Sequence, residues 1–123
     1  MKHACLLLAA LLLSPVAVPA EAHSWYSNKK DPVYGNPCCG GTDCAMMVVS
    51  RNVLTAEPGG YHIRLGLEET RKINPFSVAP IDALVGWDRI QPSEDGNYHI
   101  CLMTYHRDNE RGGIYCFFAP PDS

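Results

Sequence analysis

The stretch YHICLMTYHRDNERGGIYCFFA, residues 98–119, decides the fold. Residues 98–105 and 114–118 have the pattern of two strands, and the polar residues 106–111 join them as a loop. A hairpin centred on that loop places Cys101 directly opposite Cys116. Opposite Cβ atoms in an antiparallel ladder lie within about 5.5 Å of each other, which is near the reach of a disulfide. One bridge that the sequence allows is therefore Cys101–Cys116.

Three further cysteines lie in the cysteine segment, Cys38-Cys39-Gly40-Gly41-Thr42-Asp43-Cys44. The double glycine permits a tight reversal, so Cys44 can fold back to Cys38 or Cys39. That local bridge would accompany Cys101–Cys116. The alternative pattern joins the segment to the C-terminal hairpin through two long-range bridges, and the sequence does not choose between the two. Five cysteines leave one outside any pair, as a reactive thiol, an inert buried thiol or a link to a second chain.

The first 22 residues have the three parts of a secretory signal. Lys2 is followed by an apolar run over residues 4–13 and by the small-residue cleavage site Ala20-Glu21-Ala22. The run is about ten residues long, whereas a membrane span needs roughly 20. We expect a cleaved signal peptide over residues 1–22, which removes Cys5, and a secreted or periplasmic domain over residues 23–123. Cysteines in such a compartment oxidise where geometry allows.

Composition limits the class of protein further. Residues 23–123 suffice for one domain, and the net charge of −3 comes from mixed charges without a basic stripe. Nucleic-acid binding is therefore not expected, and neither is a membrane span after cleavage. A domain of this size has a modest core, so disulfides would stabilise it. We predict a mainly β domain with little helix, built as a small antiparallel sheet that is curled or barrel-like and has about five strands.

The middle of the chain supplies the remaining predicted elements. Residues 45–50 and 61–65 are predicted strands that form a first hairpin around the turn Pro58-Gly59-Gly60. The charged residues 68–73 are predicted as a short third strand. Residues 80–87 are predicted to contain one helical turn, with Pro80 near its start.

Two metal sites are compatible with the residue types. Cleavage after Ala22 would make His23 the N-terminus, where its α-amine and ring nitrogen suit Cu(II). A second imidazole would come from His62, His99 or His106. A zinc site is the weaker alternative, because exported cysteines form disulfides and the spacing lacks a C-x₂-C pair. Its ligands would be Cys39, Cys44, His99 and Cys101.

The aromatic residues have two interpretations. Trp25, Tyr26, Trp87 and Phe117 are candidates for a face that binds a carbohydrate or a protein partner, although such residues are more often core in a small domain. No G-x-S-x-G, P-loop or H-E-x-x-H string occurs in the sequence, so an enzyme is the minority interpretation. The sequence favours an exported binding or structural domain, with copper binding as the alternative and a small envelope enzyme as a third hypothesis.

Four strings together resemble a group of small exported bacterial proteins of unknown function. They are His23-Ser24-Trp25-Tyr26, the cysteine segment, residues 93–101 (SEDGNYHIC) and residues 115–121 (YCFFAPP). The group shares an H-x-W-Y start, a vicinal cysteine pair with a D-C just after it, and a C-F-F-x-P-P end. The resemblance spans most of residues 23–123 and implies export without implying an activity.

Overall fold

The C-terminal strand is buried on both faces and organises a four-stranded sheet. In this computed structural model, which describes residues 25–40, 43–105 and 111–123, the sheet has the order β1-β6-β7-β5. Its strands are β1 (Cys44–Met46), β5 (Ile90–Pro92), β6 (His99–Leu102) and β7 (Ile114–Ala119). Strand β6 runs antiparallel to β1 and β7, whereas β5 runs parallel to β7.

The predicted C-terminal hairpin is confirmed, including its register. Strands β6 and β7 pair with Cys101 opposite Cys116, and a bulge follows between Cys101 and Leu102. Residues 106–110 of the connecting loop lie outside the described part of the chain.

A three-stranded antiparallel sheet forms from the middle of the chain. It contains β2 (Leu54–Glu57), β3 (Gly60–Leu65) and β4 (Ile81–Gly86). The predicted turn at Pro58-Gly59 is confirmed, but the prediction for its first strand is wrong. Strand β3 pairs with β2, while part of the predicted strand 45–50 belongs to β1 and pairs with β6.

The charged stretch predicted as a third strand is a helix, α1 (Leu67–Ile73). Glu68 and Glu69 occupy its first turn and Arg71 and Lys72 its last turn, an arrangement that complements the helix dipole. The Thr70 hydroxyl donates to the Gly66 carbonyl oxygen at 2.6 Å. A strand prediction considers only the alternation of side chains, so it does not detect acidic residues at one end of the segment and basic residues at the other.

The predicted helical turn over residues 80–87 is also wrong, because that stretch contains strand β4. Ile81 and Val85 are buried and Asp82 and Leu84 are exposed, the period of two that a half-buried strand requires. A 3-10 turn, Trp87–Arg89, follows the strand.

The main core combines side chains from both sheets and from α1. Its fully buried members, with relative exposure of 2% or less, include Ile63, Ile81, Val85, Ile100, Leu102, Ile114 and Phe117. Alternation along β7 sends Phe117 into this core and Phe118 to the opposite face.

The N-terminal arm, residues 25–38, covers that opposite face. Tyr26 packs there with Phe118 and with Cys38, Cys44, Cys101 and Cys116. Lys30 and Pro37 form an isolated antiparallel bridge that closes the arm on itself. The arm is thus an ordered layer, and it brings Cys38 against Cys116 on β7.

The predicted fold class, mainly β with little helix and with disulfides, is confirmed. Within the described residues the seven strands form two open sheets, so they do not close into a barrel. No helix among residues 25–40, 43–105 and 111–123 is long and apolar enough to cross a membrane.

Candidate functional site

Two long-range disulfides fix the arm and β1 to the C-terminal hairpin. They join Cys38 to Cys116 and Cys44 to Cys101. The long-range pattern is therefore the one observed, and the predicted Cys101–Cys116 bridge is wrong. The hairpin register does bring those two residues together, but β6 has a second neighbour. Strand β1 pairs with β6 on its other side and places Cys44 opposite Cys101. The prediction from the β6–β7 hairpin considered only two strands and therefore did not include Cys44 as a partner.

Cys39 belongs to neither disulfide and lies beside one of them. Its Sγ, the Cys44 Sγ and a carboxylate oxygen of Asp43 all lie within 4.8 Å of one another. The Asp43 Oδ1 also accepts the Gly40 amide at 2.9 Å, which fixes the carboxylate. Cys39 is half-buried and lines a cavity of about 230 Å³ with Asn36, Pro37, Gly40, Asp43 and Tyr115. This group, Cys39 with Asp43 and the Cys44–Cys101 disulfide, is the sulfur cluster.

His99 is buried and is oriented by one carboxylate. Its Nε2 lies 2.9 and 2.8 Å from the two oxygens of Asp95, which fixes the proton on Nε2 in the neutral ring. Burial works to raise the pKa of Asp95. Hydrogen bonds from the Asn97 amide, His99 and Ser93 outweigh it and hold that pKa well below its usual value. The carboxylate therefore stays charged and keeps the imidazole in one orientation.

The second nitrogen of His99 is the unusual one. Within the described part of the chain, Nδ1 is buried and has no hydrogen-bond partner. Trp25 packs edge-on against the imidazole with ring centroids 5.1 Å apart, and Tyr26 lies at 5.4 Å. A buried nitrogen normally has a partner. A lone pair on Nδ1 with Nε2–H held by a carboxylate is the arrangement of a metal-binding histidine.

Tyr26 connects this histidine to the sulfur cluster electrostatically. Burial raises the pKa of its hydroxyl, and negative charge at Cys39, Asp95 and Asp43 raises it further. The phenol therefore stays protonated at neutral pH.

The other predicted metal ligands fall in different places. His62 lies on β3 in the three-stranded sheet, where Glu57 binds its Nδ1 at 2.9 Å and Asp82 binds its Nε2. Both nitrogens are thus occupied. His23 and His106 lie outside the described residues. The zinc site needs thiolates at Cys44 and Cys101. These two residues are joined in a disulfide, so neither sulfur is a thiolate.

The four candidates for a binding face are divided between core and surface. Tyr26 and Phe117 are buried and Trp25 is half-buried, so the core interpretation applies to them. Trp87 is 49% exposed, and its Nε1 donates to the Pro58 carbonyl oxygen at 2.9 Å. It borders a groove of about 290 Å³ whose lining includes Tyr61, Gln91, Pro120, Pro121 and Ser123.

Sequence reasoning missed the roles of Asp95 and Asp43. In the sequence, Asp95 stands out only as part of residues 93–101, and Asp43 only as part of the cysteine segment. The sequence does contain one signal for the Asp95–His99 contact. The two residues are four positions apart across the tight turn Asp95-Gly96-Asn97, which brings the start of the next strand close to Asp95.

Comparison with protein-family models, curated proteins and solved structures found no match to this chain.

Proposed function

We propose that this protein is an exported, disulfide-stabilised binding domain whose ligand is a copper ion, held between His23 and His99. The observation that carries the proposal is the buried, unpartnered Nδ1 of His99. Asp95 binds the other ring nitrogen at 2.8 Å, and this contact leaves Nδ1 as the lone-pair nitrogen.

His99 is favoured over the other histidines as the second imidazole. His62 already has acidic partners on both nitrogens. In the chain, only Ser24 separates His23 from Trp25, whose ring packs on His99. The α-amine and imidazole of an N-terminal His23, together with His99, would give three nitrogen ligands, which suit Cu(II).

Export is part of the same proposal, because the α-amine of His23 becomes a ligand only after cleavage behind Ala22. The signal-like residues 1–22 and the two disulfides support a secreted or periplasmic location. Intact mass of the protein collected from the periplasm tests this step, and the predicted N-terminus is His23.

The copper site is tested by titrating the mature chain with Cu(II) against a competing chelator while following Trp fluorescence. We expect one ion to bind and to quench Trp25 through its paramagnetism. Asp95→Asn should weaken binding by about 10- to 100-fold, the usual effect of losing a partner of a metal-bound histidine. Extending the chain by one alanine before His23 should weaken it at least as strongly, since the α-amine is then lost.

The matched control is Asp82→Asn. It removes the carboxylate partner of a different histidine, His62, and should leave copper affinity unchanged. Equal affinity in the native, extended and Asp95→Asn proteins would contradict the site. So would a mature N-terminus other than His23.

The groove beside Trp87 favours a second candidate function, binding of a cell-envelope glycan. A half-exposed indole that is fixed by a hydrogen bond offers a flat face for a sugar ring, and Gln91 and Ser123 offer polar groups at its side. We expect Trp87→Ala to abolish co-sedimentation with purified peptidoglycan, whereas Leu84→Ala, which truncates an exposed apolar residue on β4, preserves it. Failure of the native protein to co-sediment removes this candidate.

A further inference from the structure

We infer that Cys39 and the Cys44–Cys101 disulfide form a thiol–disulfide exchange centre, in which Cys39 displaces Cys101 from Cys44. The inference is independent of the copper proposal. It rests on the sulfur cluster, where the Cys39 Sγ and the Cys44 Sγ lie within 4.8 Å of each other.

The neighbouring residues favour this exchange. Cys39 borders a cavity of about 230 Å³, so the thiol can lose its proton to solvent and a small reductant can reach it. Gly40 directly follows Cys39, and a glycine allows the backbone there to adjust as the sulfurs approach. The Cys44 Sγ lies 3.4 Å from the Cys38 carbonyl oxygen and 3.8 Å from Asp43 Oδ1, so it is on the side of Cys44 where Cys39 and Asp43 lie.

The geometry selects one disulfide as the target. Cys44 belongs to the close group with Cys39 and Asp43. Cys38, the neighbour of Cys39 in the chain, is fully buried in its bridge to Cys116 and lies near the Gln91 amide. Exchange at Cys44 therefore leaves the Cys38–Cys116 bridge in place.

The step conserves electrons. The Cys39 thiolate attacks the Cys44 Sγ, the Cys39–Cys44 bond forms, and the Cys44–Cys101 bond breaks with its electron pair on the Cys101 sulfur. Cys101 then takes up one proton, which balances the proton that Cys39 released. Because Cys101 is fully buried, the resting protein keeps the Cys44–Cys101 bridge and the exchanged form is the minor one. Exchange releases β1 from its covalent link to β6.

The test is a map of thiols in the native protein. The protein is equilibrated at pH 8, quenched with acid, alkylated with N-ethylmaleimide in urea and digested. We expect labelled Cys101 and a Cys39–Cys44 crosslinked peptide, with Cys101 labelling at least tenfold above that in Cys39→Ser. Equal Cys101 labelling in the two proteins would overturn the inference.

A second variant tests the new bond directly. When Cys101→Ser is refolded with oxidised dithiothreitol, which accepts the two electrons and two protons, Cys39 and Cys44 should join to each other, so the variant takes up no N-ethylmaleimide. The double variant with Cys39→Ser should take up one label, at Cys44. Two labels in a Cys101→Ser protein that retains Cys38–Cys116 would contradict the exchange, and if that variant does not fold, the wild-type map decides alone.

Discussion

Asp31 and Arg89 form a buried ion pair that joins the arm to the 3-10 turn. Arg89 Nε donates to Asp31 Oδ2 at 2.8 Å, and their side chains are 6% and 0% exposed. The Arg89 guanidinium also donates to the Ile114 carbonyl oxygen at 2.8 Å. Asp31 Oδ1 accepts the Val33 and Tyr34 amides, both at 2.9 Å. One carboxylate thus shapes the arm and holds it against β7.

Asp31→Ala should destabilise the domain by roughly 3–5 kcal/mol, because it leaves the Arg89 charge buried without its partner. Urea unfolding under oxidising conditions measures the change. Asp88→Ala, an exposed carboxylate in the adjacent turn, is the control and should change stability by less than about 0.5 kcal/mol. Similar values for the two variants would show that the pair is not important for stability.

His62 lies between two carboxylates on the exposed face of the three-stranded sheet. The hydrogen bond to Asp82 raises the pKa of His62 above its ordinary 6.5, although partial burial opposes this, and Glu57 raises it further. The same contact lowers the pKa of Asp82 from 3.8. The raised histidine pKa stabilises the fold below about pH 6.5, and this contribution is lost as pH rises through the folded value. The lowered Asp82 pKa stabilises it above about pH 3.8, and this contribution is lost as pH falls through its folded value.

Asp82→Asn should therefore lower the pKa of His62, which an NMR titration of the imidazole protons measures. Asp122→Asn, at an exposed position near the C-terminus, should leave the titration unchanged. An unchanged His62 pKa in Asp82→Asn would show that the contact does not persist in solution. The Asp31–Arg89 and His62–Asp82 pairs were not predicted from the sequence, because their partners are 58 and 20 positions apart.

The β2–β3 hairpin depends on a close approach of two backbones at Gly60. Gly60 has φ of 154°, and a Cβ there would lie 1.9 Å from the Val85 carbonyl oxygen of β4. Gly96 has a φ of 76° with nothing within 4 Å of such a Cβ, so only its backbone conformation opposes a side chain. Gly60 thus combines a steric contact with an unfavourable backbone conformation, whereas Gly96 has the unfavourable backbone conformation alone.

Gly60→Ala should destabilise the protein by about 3 kcal/mol or more, since β4 must move away. Gly96→Ala should cost only about 1 kcal/mol, from its left-handed conformation. Thermal unfolding of the two variants makes the comparison. A Gly96 effect as large as the Gly60 effect would contradict the close packing of β3 and β4.

The sequence predicted those elements whose evidence lies within a few neighbouring residues. The turn at Pro58-Gly59 and the hairpin register at Cys101 and Cys116 were both predicted. The strand in residues 81–86 was not predicted, because Pro80 is typical of a helix start and the alternation of Ile81 and Val85 is short. Helix α1 was predicted as a strand. The feature that indicates a helix is the placement of acidic residues in its first turn and basic residues in its last turn.

The described part of the molecule consists of two sheets around one core and an arm over the outer face. One disulfide fixes the arm to β7 and the other fixes β1 to β6. The sequence alone did not determine which cysteines pair. Which cysteine meets Cys101 depends on β1 joining β6 across 57 residues of chain, and a two-strand argument does not include that neighbour. The candidate copper ligand His99 was named from its residue type alone, whereas its orientation by Asp95 became visible only in the folded chain.

The most direct test of this arrangement is a disulfide map of the purified, unreduced protein, quenched in acid. We expect the major crosslinked peptides to contain Cys38 with Cys116 and Cys44 with Cys101. A major peptide that joins Cys101 to Cys116 would contradict it, because the arm and β1 would then have no covalent connection to the C-terminal hairpin.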